Sequence, residues 1–249
     1  MAEKHFYEQK QYTKEYLLPY FQKNIPEFHK KTVLEVGCAE GGLLTVLLDI
    51  GMHAVGIEIS PERVEIAKKN NPSVNITVGD IMDPKLPEFI KDKFDVIIIR
   101  EVIEHLHDKK STFENLGRLL KDEGYVFISF PPKRSPFAGH QQIGKSFLKA
   151  IPYLHILPRL ILKPVAKSLG EGEGYIDEIK LHYSTGCTIH ELEFQCLLQN
   201  FIPIKKDYFL FRPIYALRFG LPTIKLPKIP VLKEYITFGC EALVNKMTF

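Results

Sequence analysis

Residues 33–42, V-L-E-V-G-C-A-E-G-G, pass within ten positions from a short apolar run to a glycine-rich turn. Val33, Leu34 and Val36 suit a buried strand with Glu35 near its end, and Gly37, Ala39, Gly41 and Gly42 are the small residues of a tight turn. The amphipathic run from Leu43 to Ile50, closed by Gly51, reads as a helix leaving that turn. Glycine lets a ligand approach the backbone closely, and the free N–H groups of a helix start add donors and a favourable dipole. The unit reads as a nucleotide-binding crossover. The turn alone does not say which nucleotide.

Downstream, the same alternation continues. H-A-V-G-I-E is a second strand ending at Glu58, and Ser60-Pro61 supplies an N-cap and first position for a helix through Lys69. N-I-T-V-G-D (75–80) is a third strand ending in Asp80. K-F-D-V-I-I-I-R (93–100) is a fourth, apolar enough to be covered on both faces. A helix over 109–121, with His107 and Asp108 at its start, leads to a fifth strand, G-Y-V-F-I-S-F (124–130). After residues 131–187, Thr188 and Glu191 form a capping box for a helix through Asn200. F-I-P-I-K-K-D-Y-F-L (201–210) reads as a sixth strand and C-E-A-L-V-N-K-M (240–247) as a seventh. The expectation is a single α/β domain, a doubly wound and mostly parallel seven-stranded sheet with the last strand antiparallel. A helical N-terminal cap over 1–31 and two lid insertions, 131–187 and 211–236, complete it.

Composition sets the class. The chain has 249 residues, 45% hydrophobic and 25% charged, as for a globular domain able to bury a core. Its four cysteines, Cys38, Cys187, Cys196 and Cys240, show no CxxC pair and no metal-ligand spacing, so no metal is expected and reduced thiols are. The N-terminus lacks a signal-peptide core and no apolar run is long enough to span a bilayer, which points to the cytoplasm.

Two readings compete for the turn. Gly37, Ala39 and Gly42 loosely fit a dinucleotide fingerprint, with Glu58 at a suitable distance for a ribose, as in a nicotinamide-dependent oxidoreductase. Alternatively, Glu35, Gly37, Ala39 and Gly41 place an acid ahead of small residues at every second position. That pattern resembles the first motif of class I S-adenosylmethionine-dependent methyltransferases, with Ala39 at the usual middle glycine. Asp80 in G-D-I, the segment R-E-V-I-E-H-L-H-D (100–108) and a seventh strand at the end favour this second family; the segment is similar to that of quinone-biosynthesis methyltransferases. The resemblance covers residues 33–130 well and 188–247 in outline. It implies S-adenosylmethionine as cofactor and S-adenosylhomocysteine as product. Glu35 would orient the methionine amino group, directly or through water, and the backbone of Gly37, Cys38, Ala39 and Gly41 would carry the methionine moiety. Glu58, with Ile59 beside it, would take the ribose hydroxyls, since a carboxylate has two accepting oxygens. Asp80 would accept from the adenine amine, the Ile81 N–H would meet a ring nitrogen, and Arg100 and Glu101 would line the same crevice, outside the carboxyl ends of the strands.

The acceptor side rests on the insertions. Residues 131–170 and 211–233 together hold 12 of the 33 basic residues and no acid, leaving 21 basic against 30 acidic residues elsewhere. Such a roof suits a small anionic acceptor. F-P-P-K-R-S-P-F-A-G-H-Q-Q (130–142) looks like a segment of bacterial polysaccharide-locus methyltransferases, which tilts the acceptor towards a sugar hydroxyl. The stretch 147–169, apolar with basic heads, also suits peripheral contact with an anionic inner-membrane surface and a lipid-linked acceptor, although Pro152, Pro158 and Pro164 should break any long helix. Without a nucleic-acid-binding module, nucleic acid is a poor partner. A hydroxyl acceptor needs a base. His140, directly after the fifth strand, is the first candidate, and His105, His182, Arg212 and Tyr215 are expected to contact the acceptor. A quinone- or polyprenyl-type acceptor and a non-catalytic cofactor-binding protein are the alternatives.

Overall fold

The computed structural model describes residues 2–247. The eight strands are β1 Val33–Val36, β2 Ala54–Glu58, β3 Asn75–Val78, β4 Phe94–Arg100, β5 Leu120–Phe130, β6 Phe201–Phe211, β7 Ile224–Leu226 and β8 Gly239–Lys246. They form one sheet in the order β3-β2-β1-β4-β5-β8-β6-β7. β1 to β5 pair in parallel, whereas β8 runs antiparallel between β5 and β6, and β7 pairs antiparallel with β6. The expected seven strands become eight because Ile224–Leu226, inside the second insertion, attaches to the sheet edge. A three-residue segment between Pro222 and Pro227 has too short a period to read as a strand.

The helices are α1 Ala2–Tyr12, α2 Leu18–Asn24, α3 Gly42–Asp49, α4 Pro61–Asn70, α5 Leu86–Phe89, α6 Lys109–Leu119, α7 Arg159–Ser168, α8 Glu173–Thr185, α9 Ile189–Leu198, α10 Pro213–Phe219 and α11 Lys233–Ile236. Three starts follow their sequence signals. Ser60 accepts from the Arg63 N–H, Asp108 from the Ser111 N–H and Thr188 from the Glu191 N–H. Alternating strand residues feed two cores. Val33, Val96, Ile98 and Phe127 pack with Leu17, Phe21, Leu43 and Leu47 on one face of the sheet. Leu34, Ile97, Ile99 and Ile128 pack with Phe113, Leu116 and Leu192 on the other. All four cysteines are buried and free.

The first insertion has a small core of its own, Leu148, Leu154, Leu162, Tyr175, Ile176 and Ile179. Pro158 caps α7 as expected of a helix breaker, but Pro164 lies inside α7 and does not end it. No helix among the described residues is long and apolar enough to cross a membrane. The strand order reverses between β1 and β4, and there the sheet leaves a crevice at its carboxyl edge.

Candidate functional site

The crevice is a cavity of about 570 Å³ at the carboxyl ends of β1, β2 and β4. Its floor is the glycine turn. Gly37 has φ +70°, its N–H donates to the Ile57 carbonyl at 2.8 Å, and a Cβ built there would meet Val102 Cγ2 at 2.3 Å. Only glycine fits. Gly41 is also left-handed, at φ +76°, and caps α3. Ala39 between them has φ +49°, a region that costs an L-residue about 1–2 kcal/mol. Ala39→Gly is therefore expected to raise stability by about 0.5–1 kcal/mol once the extra chain entropy of glycine is subtracted, read as a higher thermal midpoint. A lower midpoint would show that the turn gains more from the methyl group than it loses to its backbone.

Glu58 ends β2 buried and holds this turn in place. Its Oε2 accepts from the Ala39 N–H at 2.8 Å and its Oε1 from the Ser60 N–H at 3.0 Å. Ile59 beside it lines the cavity with its side chain 63% exposed, unusual for isoleucine and suited to an apolar ligand face. Asp80 Oδ1 accepts from the Met82 N–H at 2.8 Å, so it closes a turn, while its other oxygen has no partner among the described residues. On the opposite side α1 covers the turn. Gln9 Oε1 accepts from the Gly42 N–H at 3.0 Å, His5 pairs with Glu40, and His5, Glu8, Gln9 and Tyr12 all line the cavity.

Buried charge clusters at the end of β4. Arg100 donates to Glu35 Oε1 at 2.8 Å, and Glu35 Oε2 and Arg100 Nε are buried with no partner. Burial pushes the Glu35 carboxyl above its ordinary range, opposed by the Arg100 charge. Glu101, itself left-handed at φ +54°, takes both terminal nitrogens of Arg212, with Arg212 Nη1 at 2.7 Å from Oε2. This two-point pair ties the second insertion to β4. Nearby, Tyr16 donates to Glu241 at 2.6 Å, and burial lifts the Glu241 carboxyl to about 7.

Three histidines converge at the edge of the cavity. His105 lies in the turn after β4, His140 in the first insertion and His182 in α8. The His140 and His182 rings lie with centroids 3.8 Å apart at a 33° tilt, and His105 meets them edge-on at 5.3 and 5.0 Å. Burial and then its histidine neighbours hold His140 down to about 4, and burial followed by His182 lowers His105.

The side chains or backbone of Gly37, Ala39, Glu58, Ile59, Asp80 and Ile81 line the cavity, and so do Arg100, Glu101, His105 and Arg212. Glu35, Cys38, Gly41, His140, His182 and Tyr215 are not in the wall. Glu35 sits behind Arg100. The Cys38 sulfur packs towards Gly56. Tyr215, on α10, contacts Phe219 and the Arg212 guanidinium. His140 and His182 reach the cavity through His105. Among the described residues the second insertion and α1 contribute wall residues directly, and the first insertion contributes none. The charge count also reads differently in three dimensions. Arg159, Lys163 and Lys167 converge on Glu173, Arg218 pairs with Glu8, Lys225 with Asp207 and Lys233 with Glu193. With the Arg212–Glu101 pair, seven of the twelve roof cations are answered by acids. Wall residues the sequence did not single out include Gln9, Val102, Ser129 and Ile214. Tyr12 belongs to the aromatics interspersed through residues 1–31, from Phe6 to Phe21, a sign of a segment able to cover a ligand; nothing in sequence marks Ser129, which faces Glu101 only through strand pairing.

Comparison with known proteins agrees with this architecture. Residues 5–162 match a family model described as a methyltransferase domain. The chain is 28% identical over 171 residues to the ubiquinone biosynthesis O-methyltransferase of Actinobacillus pleuropneumoniae serotype 7, covering 66% of this chain and 67% of that one. With the enzyme of the same name from serotype 5b it shares 27% identity over 201 residues, 78% and 79% of the two chains. Among solved structures, the PH0226 protein of Pyrococcus horikoshii superposes with a TM-score of 0.59 at 17% identity, over 95% of this chain and 90% of that one. The plantazolicin methyltransferase BpumL, solved with SAH, gives 0.57 at 16% identity, over 98% and 85%. The chain belongs to the methyltransferase domain family and is a class I S-adenosylmethionine-dependent methyltransferase.

Proposed function

We propose that this enzyme methylates a hydroxyl group on a small acceptor with an apolar body, of the phenol or quinol class. The observation that carries the reading is the cavity itself, where a glycine turn with two carboxylates adjoins a histidine cluster. The curated relatives named as O-methyltransferases support the reaction type. The paired roof cations favour an apolar acceptor over an anionic sugar, because a carboxylate already holds most of the charge expected to grip a phosphate.

The residues present fit the cofactor. The unsatisfied Glu35 Oε2 beside Arg100 is a buried acceptor that suits an ammonium group, reached past the Arg100 side chain or through water. Gly37, Ala39 and Val36 line the cavity at the turn, where the backbone is open to the methionine chain. Glu58 retains lone pairs for ribose hydroxyls, Asp80 has a free oxygen for the adenine amine, and Ile59 offers an apolar face. Bound there, S-adenosylmethionine supplies an electrophilic methyl group on its sulfonium. The walls of the cavity would hold the acceptor oxygen in line with that methyl group, with S-adenosylhomocysteine as the leaving group. Positioning is the main task of the protein, and the hydroxyl proton leaves on the His105 side. Glu101, fixed by Arg212, and Ile214 frame the acceptor half of the cavity.

On the outer side of α7, Leu160 is 90% exposed and Ile161 and Val165 are exposed beside it. That apolar strip would rest on a lipid surface when the acceptor carries a polyprenyl tail. Supplying a catechol with a short prenyl tail, a sugar nucleotide and a phosphosugar in separate assays tests the acceptor. Methyl transfer to the prenylated catechol alone is expected. Transfer to either sugar alone would overturn the assignment. His105→Ala is expected to lower kcat about 100-fold or more while S-adenosylhomocysteine affinity changes little. Full turnover in that variant would remove His105 from the reaction.

A further inference from the structure

Three of the nine histidines of the chain come together from three separate segments. One ring nitrogen from each of His105, His140 and His182 lies within 4.8 Å of the others. We propose that this trio is a binding site for one divalent transition metal ion of the zinc class, at the edge of the cavity.

The donor set selects the metal. Three imidazoles and no carboxylate suit zinc, cobalt or nickel, whereas magnesium and calcium require oxygen ligands. Three protein ligands with a fourth position left open is the arrangement of catalytic zinc sites, and here the exposed member, His105, lines the cavity from which a fourth ligand would come. Zinc–nitrogen bonds of about 2.0–2.1 Å place tetrahedral nitrogens roughly 3.3 Å apart. The nitrogens therefore need to close in by at most about 1.5 Å, which side-chain rotation supplies.

The support around the trio has the same logic. Glu178 lies one helical turn before His182, with Oε1 2.9 Å from His182 Nε2. A carboxylate on one ring nitrogen fixes the orientation of a metal-binding imidazole and raises its basicity. No hydrogen bond joins the three rings to each other among the described residues, so their meeting is not a polar network that satisfies itself. Packing the insertion against β4 would be served equally well by apolar side chains. A hydroxyl oxygen taking the open position would lose its proton more readily, which connects the site to the proposed acceptor. Metal binding itself needs no acceptor.

The test uses the full chain, treated with chelator and titrated with Co2+ and, separately, Zn2+, without cofactor or acceptor. One equivalent of Co2+ should give the visible absorption of a low-coordinate site and be displaced by Zn2+. His140→Ala and His182→Ala should each weaken Zn2+ binding about 100-fold or more, and Glu178→Gln by about tenfold. His105→Asn, at the exposed member of the trio, should weaken it in the same direction with an unchanged circular-dichroism melting curve, which separates ligand loss from unfolding. Absence of saturable one-to-one binding, or His105→Asn and Glu178→Gln proteins that bind like the wild type, would overturn the site. Because the readout contains no methyl transfer, a wrong acceptor assignment leaves it unaffected.

Discussion

Gly37→Ala should destroy cofactor binding while leaving a folded but weakened protein. Two effects add. The residue is left-handed, which costs an alanine about 1–2 kcal/mol, and the new methyl group would sit 2.3 Å from Val102 Cγ2. Relieving that overlap displaces either the turn or the Val102 segment, and both line the cavity. The expected result is a loss of about 2–4 kcal/mol of stability and at least about a hundredfold loss of S-adenosylhomocysteine affinity. Gly51→Ala is the control, because Gly51 is equally left-handed at φ +80° and a Cβ there meets nothing within 4 Å. It should show the backbone cost alone and bind S-adenosylhomocysteine normally. Equal behaviour of the two variants in calorimetry and melting would show that the close approach to Val102 does not matter.

Glu241→Gln should stabilise the enzyme, and only at neutral to alkaline pH. The Glu241 carboxyl titrates at about 7 in the folded chain against an ordinary 4.5, with burial as the main cause. A carboxyl raised in this way binds its proton more tightly folded than unfolded. Its contribution is fully present below pH 4.5 and is lost as pH rises through 7. At about 1.4 kcal/mol per unit, the wild type should lose roughly 3 kcal/mol across that window through this group. Glutamine stays neutral at every pH and still accepts from the Tyr16 hydroxyl that ties the N-terminal segment to β8. The variant should therefore melt within a degree or so of the wild type at pH 5 and about 5–10 °C above it at pH 8. A difference that does not change with pH would assign the ionised, not the protonated, carboxyl to the folded state.

Residues that act through local chemistry were legible in the sequence. The glycine turn, Glu58 at the end of β2, Asp80 at the end of β3 and the caps at Ser60, Asp108 and Thr188 each announce themselves within a few positions. Parallel strands covered on both faces appear as apolar runs, so β1, β2, β4 and β5 were readable, as was the antiparallel last strand. Features that depend on distant partners were not. The roof looked strongly basic because the acids that answer Arg159, Lys163 and Lys167 begin at Glu173, beyond the counted window, and Glu101, Glu8, Asp207 and Glu193 come from elsewhere in the fold. His140 was placed over the cofactor by topology, but the chain folds it behind His105, where it contacts His182 instead of the cavity. The histidine trio has no spacing signature, since its members come from a β4 turn, an irregular insertion and a helix. The β7 edge strand was hidden for a different reason: three residues between prolines carry no period.

A crystal structure with S-adenosylhomocysteine bound tests the central assignment most directly. It should show the ribose hydroxyls on Glu58, the adenine amine on Asp80, the amino group at Arg100 and Glu35, and the sulfur turned towards Glu101 and His105. An S-adenosylhomocysteine molecule bound away from the Gly37 turn, or one whose sulfur faces away from the histidines, would contradict it.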